Sequence, residues 1–243
     1  MQAQNGLAVF YRQLSTERLG TNLIELEKID STNDYIKSRL AELPVGSAVL
    51  AHEQLAGRGR SGRLWISPMG GLYFSLIVEA CVCAPVLPLA AGLAVQCAIE
   101  RVAGLAVQLK WPNDILAVSG GKLGGILCER RGERTICGIG INIRARDEIY
   151  DWPCLEAAGA SPSPYLLAAE ICNALEPLLP ELPQFVVEKY NCCCITLGQA
   201  VETEAGLSGI ARQVMPDGAL AIETTHCTIM VHAGDVHLKK LNK

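Results

Sequence analysis

Gly57-Arg58-Gly59-Arg60-Ser61-Gly62-Arg63-Leu64-Trp65 sets three glycines against three arginines and closes on a tryptophan. Glycine costs about 0.5–1 kcal/mol relative to alanine inside a helix or strand, so this segment is predicted to be a mobile loop. Its guanidinium forks match phosphate and carboxylate oxygens, and its glycines let the backbone approach such anions closely. The loop is therefore expected to close over an anionic small molecule. Gly57-x-Gly59-x-x-Gly62 imitates a dinucleotide fingerprint, but a strand is predicted to follow it, so it does not open a βαβ unit. A Walker loop is excluded as well, because Gly121-Lys122 is followed by leucine and no hydroxyl stands ready for Mg²⁺.

The flanks carry the rest of the fold. Val49 to Glu53 and Leu72 to Val78 are predicted strands that hang the loop on two edges. Leu23 to Ile29 alternates apolar and polar residues as a half-buried strand, and a helix capped by the Ser31/Asp34 pair is predicted to run through Ile36, Leu40 and Leu43 to Pro44. Residues 86 to 103 have helical periodicity and stop at Gly104. Val107 to Lys110, Ile115 to Val118, Lys122 to Glu129 and Thr135 to Ile143 are strand-like, the last two joined by a turn at Arg131-Gly132-Glu133. Strands that neighbour in sequence through tight turns imply a mixed or antiparallel sheet. Helices are predicted from Ser163 to Leu179 and from Phe185 to Tyr190. After Gly198 the chain breaks into five short alternating segments up to Leu238, the pattern of a small β-barrel or sandwich. The fold expected is α+β, with a catalytic unit over 1–196 and a small β unit over 197–243. Residues 1 to 22 offer an amphipathic turn or two, too little for a helix-turn-helix domain.

Composition narrows the function. With 243 residues, 50% apolar and 19% charged, the chain can fill a core. A net charge of −4 disfavours a nucleic-acid binder, and the longest apolar stretch, Val86 to Ala98, is broken by Pro88, Gly92 and Gln96, so no membrane span is expected. Eleven cysteines are an odd count in a long chain with no signal segment, which favours reduced thiols in the cytoplasm. Cys81/Cys83 and Cys192-Cys193-Cys194 lack paired Cys-x-x-Cys blocks and are read as small hydrophobes, and the four scattered histidines suggest no metal.

Three further pieces could carry chemistry. Lys110-Trp111-Pro112-Asn113-Asp114 is a proline-stiffened turn between two strands. Lys122 enters an otherwise apolar strand, Leu123-Gly124-Gly125-Ile126-Leu127, where an anion would relieve its burial. Gly138-Ile139-Gly140-Ile141-Asn142-Ile143 is a strand whose glycines suggest close approach of a ligand or another backbone.

Taken in order with Ser31-Thr32-Asn33 and Gln54, these pieces resemble the biotin protein ligase family in its short form without a DNA-binding domain, over roughly residues 23 to 240. The resemblance implies a class II synthetase-like mixed sheet flanked by helices, followed by an SH3-like barrel. It implies activation of biotin by Mg·ATP to biotinyl-5′-adenylate, then transfer of biotin to a lysine of a biotin carboxyl carrier protein, the acetyl-CoA carboxylase subunit. It assigns biotin contacts to Ser31, Thr32, Asn33, Gln54, Arg58, Gly59, Arg60, Lys122 and Gly124. Nucleotide contacts fall to Arg60, Arg63, Trp65, Lys110, Trp111, Asn113, Lys122 and Asn142. Lys122, Arg58 and Arg60 are the catalytic candidates, and Asp114 is the Mg²⁺ contact. The expected assembly is a monomer or homodimer with no nucleic acid or membrane partner. One departure is Lys239, after Gly234-Asp235-Val236-His237-Leu238, where the family commonly has arginine; a lysine keeps the charge and loses the fork.

Two rivals stand beside this reading. A lipoate or octanoate ligase or transferase of the same superfamily would need a long apolar tunnel, and a non-catalytic biotin sensor would not need groups aimed at ATP.

Overall fold

Alternating leucine and isoleucine against glutamate build the first edge of the main sheet, β1 (Asn22–Ile29). It lies parallel to β2 (Ser47–Gln54), with Asn22 opposite Ser47 and Ile29 opposite Gln54. A parallel pair needs a crossover, and α2 (Thr32–Ser38) supplies it. Beyond β2 every neighbour is antiparallel: β3 (Leu72–Glu79), β7 (Arg134–Ile141), β6 (Lys122–Arg131), β5 (Asp114–Ala117) and β4 (Val107–Lys110), giving the order β1-β2-β3-β7-β6-β5-β4. The computed structural model describes residues 2–79, 86–145, 153–232, 234 and 236–238. Cys81, Cys83 and Lys239 lie outside them.

Period-two alternation divides the sheet into two faces. Leu72, Phe74, Leu76 and Val78 of β3 point into the larger core beneath α3 (Leu87–Ala103) and α4 (Pro164–Leu175). Ile77 points the other way and meets Ile36 of α2, Val49 and Ile136 in a smaller cluster. Helix α1 (Gln2–Gln13) packs on α4, and α5 (Pro183–Cys193) packs on α3. Gly104 ends α3 in the left-handed conformation at φ 64°. The second sheet, β8 (Ala200–Thr203), β9 (Ser208–Val214), β10 (Leu220–Glu223), β11 (Thr228–Val231) and β12 (Val236–Leu238), is an open five-stranded ladder in the order β11-β10-β9-β8-β12.

Three expectations change. The helix after Ser31 stops at Ser38 instead of Pro44. The Arg134 guanidinium donates to the carbonyls of Leu40 and Leu43, so these residues form a turn whose leucines still reach the Ile36 cluster. The first residues form a twelve-residue helix, held by burial of Phe10 in the larger core. Finally, α4 ends at Leu175 and tightens into a 3₁₀ turn over Glu176–Leu178, because Pro177 brings no N–H. The Glu176 carboxylate then accepts backbone N–H bonds from Glu17, Arg18 and Leu19 at 2.8–2.9 Å, which pins the segment after α1.

Candidate active site

The loop of alternating glycine and arginine takes a hydrogen-bonded conformation of its own. Trp65 donates its N–H to the Gly57 carbonyl at 2.8 Å, Gly59 donates to Arg63 at 2.7 Å, and Arg58 bridges across to Leu64. Ser61 takes a positive φ of 54° at the tip. The result is a flap lying over the α2 face of the sheet.

Beneath the flap the start of α2 offers polar groups to a cavity of about 250 Å³. Ser31 caps the helix in extended backbone, its hydroxyl oxygen accepting the Asp34 N–H at 3.4 Å. The Thr32 N–H reaches Gln54 Oε1 at 2.9 Å, and Gln54 Nε2 donates to Ser67 at 2.8 Å. The Asn33 amide donates to Glu129 at 2.9 Å and to the Leu127 carbonyl at 3.3 Å. Room for Asn33 depends on Gly138, where a Cβ would come within 2.3 Å of Asn33 Oδ1. Gly140 does the same for the indole of Trp65, at 2.4 Å.

Cations ring the opening. The Arg58 guanidinium sits 2.7 Å from Asp34 and 2.8 Å from Glu129, Arg60 donates to Asn113 at 3.1 Å, and Arg63 pairs at 2.6 Å with Glu204, in the turn after β8. Lys122 Nζ lies 2.6 Å from Asp114 Oδ1 and 5.6 Å from the centre of the Trp65 ring. Lys110 approaches the other Asp114 oxygen at 3.7 Å. A second hollow of about 290 Å³ adjoins the first, and Trp65, Lys122 and Asn142 line it. Trp65 Nε1 and Asn142 Oδ1 are the buried side-chain polar atoms without a hydrogen-bond partner among the described residues. Such orphans are costly unless a ligand meets them.

Most of the expected residues therefore converge: Ser31, Thr32, Asn33, Gln54, Arg58, Gly59, Arg60, Arg63, Trp65, Asn113, Asp114 and Lys122 all face the first cavity. Asn142 faces the second. Three do not face either. Gly124 points to the opposite face of β6, toward Ile141, and by strand alternation its neighbour Gly125 takes the cavity position. Trp111 is 1% exposed, and its indole donates to the Gly218 carbonyl at 3.0 Å, tying the turn to the second sheet. Lys110 stands behind Asp114. Ser75 and Glu129, which the motifs did not single out, are central to the polar network; alternation from Gly125 through Leu127 to Glu129 was the signal that could have found the latter. Among the described residues no group of three His, Cys, Asp or Glu side chains could hold a metal. In the cysteine run Cys194 is buried and Cys193 half-buried, as expected of small hydrophobes, whereas Cys192 is exposed.

Residues 25–145 match the biotin/lipoate A/B protein ligase family. The chain is 34% identical to the biotin–[acetyl-CoA-carboxylase] ligase of Mycobacterium tuberculosis over 217 residues, 80% of each chain. It is 30% identical to the bifunctional ligase/repressor BirA of Escherichia coli over 255 residues, 96% of this chain and 78% of that one. The biotin protein ligase of Aquifex aeolicus, solved with biotin and ATP, superposes with a TM-score of 0.77 at 30% identity, covering 90% of this chain and 99% of that one. With this architecture and these relatives, the chain belongs to the biotin/lipoate A/B protein ligase family.

Proposed function

We propose that this protein activates biotin with ATP to biotinyl-5′-AMP and transfers the biotinyl group to a lysine of a biotin carboxyl carrier protein. The observation that carries the reading is the convergence of Lys122, the arginine flap and the Ser31–Asn33 triplet on one cavity, with a second on the other side of Trp65 and Lys122. Two neighbouring hollows suit an acyl nucleotide, with a bicyclic head at one end and a base at the other.

In the first step a biotin carboxylate oxygen attacks the α-phosphorus of ATP, and the bond to the bridging oxygen of pyrophosphate breaks. Lys122, positioned by Asp114, offers a fixed cation where charge builds on the phosphoryl oxygens. Arg60 and Arg63 lie on the flap above the same point, and Asn113 and Asn142 flank the nucleotide side. In the second step the carrier amine attacks the acyl carbonyl and AMP leaves. Closure of the flap excludes water from the mixed anhydride between the two steps.

Magnesium fits this site as an ion arriving on the nucleotide, because Mg²⁺ keeps its waters and asks for one or two protein carboxylates. Asp114 would hold it, and when bound the ion screens the phosphate charge. We read the open C-terminal sheet as the SH3-like unit of a two-part chain, 1–196 and 197–243. We read the enzyme as a cytoplasmic monomer or homodimer without a nucleic-acid partner, a reading supported by its net charge of −4.

The test is biotin-dependent exchange of pyrophosphate into ATP, followed by biotin transfer to a carrier domain. Exchange that requires lipoate in place of biotin, or no exchange at all, overturns the proposal.

A further inference from the structure

We infer that Glu129 is a positioning residue that fixes the hydrogen-bond polarity of the biotin head site. The inference rests on the function proposed above.

The argument follows the protons. A carboxylate only accepts, so the Asn33 group facing Glu129 at 2.9 Å must be its NH₂. The carbonyl oxygen of Asn33 then faces Ser75, 2.7 Å away on β3 and fully buried. An amide oxygen also only accepts, so Ser75 must spend its single hydroxyl proton on Asn33. Ser75 and Thr32 hydroxyl oxygens lie 2.7 Å apart, and that contact can now be made only by the Thr32 proton. Gln54 Oε1, the other neighbour of the Thr32 hydroxyl at 3.1 Å, is an acceptor too, so the single Thr32 proton is spent on Ser75 or on Gln54 and on neither route faces the cavity. Thr32 is thereby left with lone pairs for the cavity.

Ser31 is set the opposite way. Its oxygen accepts the helix-capping N–H of Asp34, which leaves its own proton available. The wall thus presents one acceptor and one donor side by side, matching an N–H and the C=O of a cyclic urea. The same Glu129 oxygen receives Arg58 at 2.8 Å, so one carboxylate orders both the triplet and the flap. Glu129 reaches this place because β6 alternation puts it on the face of Gly125 and Leu127, while Arg131 approaches its other oxygen at 3.5 Å.

Glu129→Leu and Glu129→Gln separate the acceptor from the charge. Leucine removes the acceptor that Asn33 and Arg58 share. Glutamine can keep it, because its one carbonyl oxygen can stand where the single carboxylate oxygen receives both, with its NH₂ toward Arg131. In pyrophosphate exchange the leucine variant is expected to raise the KM for biotin by about tenfold or more, as buried donors left without a partner do. Its KM for ATP should stay within about twofold, since the nucleotide side is untouched. Glutamine should recover much of the loss. A leucine variant with wild-type KM for biotin, or a glutamine variant as impaired as leucine, overturns the inference while leaving the function standing. If leucine does not fold, Glu129→Asp is compared with wild type in its place, and equal effects on the KM for biotin and for ATP reject the idea. Wild-type protein that shows no biotin-dependent exchange overturns the function, and this inference with it.

Discussion

The ammonium of Lys122 and the carboxylate of Asp114 lie 2.6 Å apart at the edge of the cavity, with Lys110 behind the acid. On the proposed function, this pair holds a cation for the α-phosphate. Lys122→Met is expected to lower kcat for pyrophosphate exchange by about 100-fold, the scale of losing one preorganised electrostatic group. The Kd for biotin by calorimetry should change far less. Equal losses in binding and turnover would count against a role in the reacting step.

Arg60 ties the flap to Asn113 of the central turn at 3.1 Å. Arg60→Gly should loosen closure and let the activated acyl group escape. The ratio of bystander-protein to carrier biotinylation is expected to rise severalfold while exchange continues. Unchanged selectivity removes Arg60 from this role.

Gly138 leaves space for Asn33, whose amide oxygen lies 2.3 Å from where a Cβ would stand. Asn33 is buried and bonded to Ser75, Leu127 and Glu129, so Gly138→Ala should lower the melting temperature as well as disturb the site. Biotin binding should weaken by about tenfold or more because Asn33 must move. Gly125→Ala, by comparison, meets Lys122 and Trp65 at 3.4–3.6 Å, ordinary contact distance, and should be milder. If alanine at 138 binds biotin as tightly as wild type, the steric argument is wrong.

Tyr165, at the first turn of α4, is held protonated well above the usual phenol range by its burial and then by the Glu25 carboxylate that accepts its hydroxyl. A raised pKa in the folded state adds stability that is complete below the unfolded value of 10.0 and is lost as pH climbs beyond it. Tyr165→Phe should cost about 1 kcal/mol at neutral pH through the lost hydrogen bond. Its melting temperature should then fall less steeply than wild type above about pH 10. Parallel curves for the two proteins would contradict this linkage.

Much of this was legible in the chain because local chemistry and burial agree. The Ser31 cap, the Gly104 stop, and the Gly132 turn between β6 and β7 mark element ends that the structure keeps. What could not be read depends on partners distant in sequence. The arginine loop is rich in glycine and reads locally as a loop, while its contacts run to Asp34, Glu129, Asn113 and Glu204, which no local pattern connects to it. Trp111 is a nucleotide contact by resemblance, and the fold adds what the sequence could not, that its indole donates to the Gly218 carbonyl. Gly124 and Gly125 are adjacent and identical in type, so the choice between them needed the strand register.

The Arg63–Glu204 contact couples chemistry to a part of the molecule that holds none of the reacting groups. One fastening of the flap is anchored outside the seven-stranded sheet, in the turn that follows β8. Changing Glu204 to glutamine would therefore leave the door in place with a weaker latch, leaking intermediate even with every substrate contact intact.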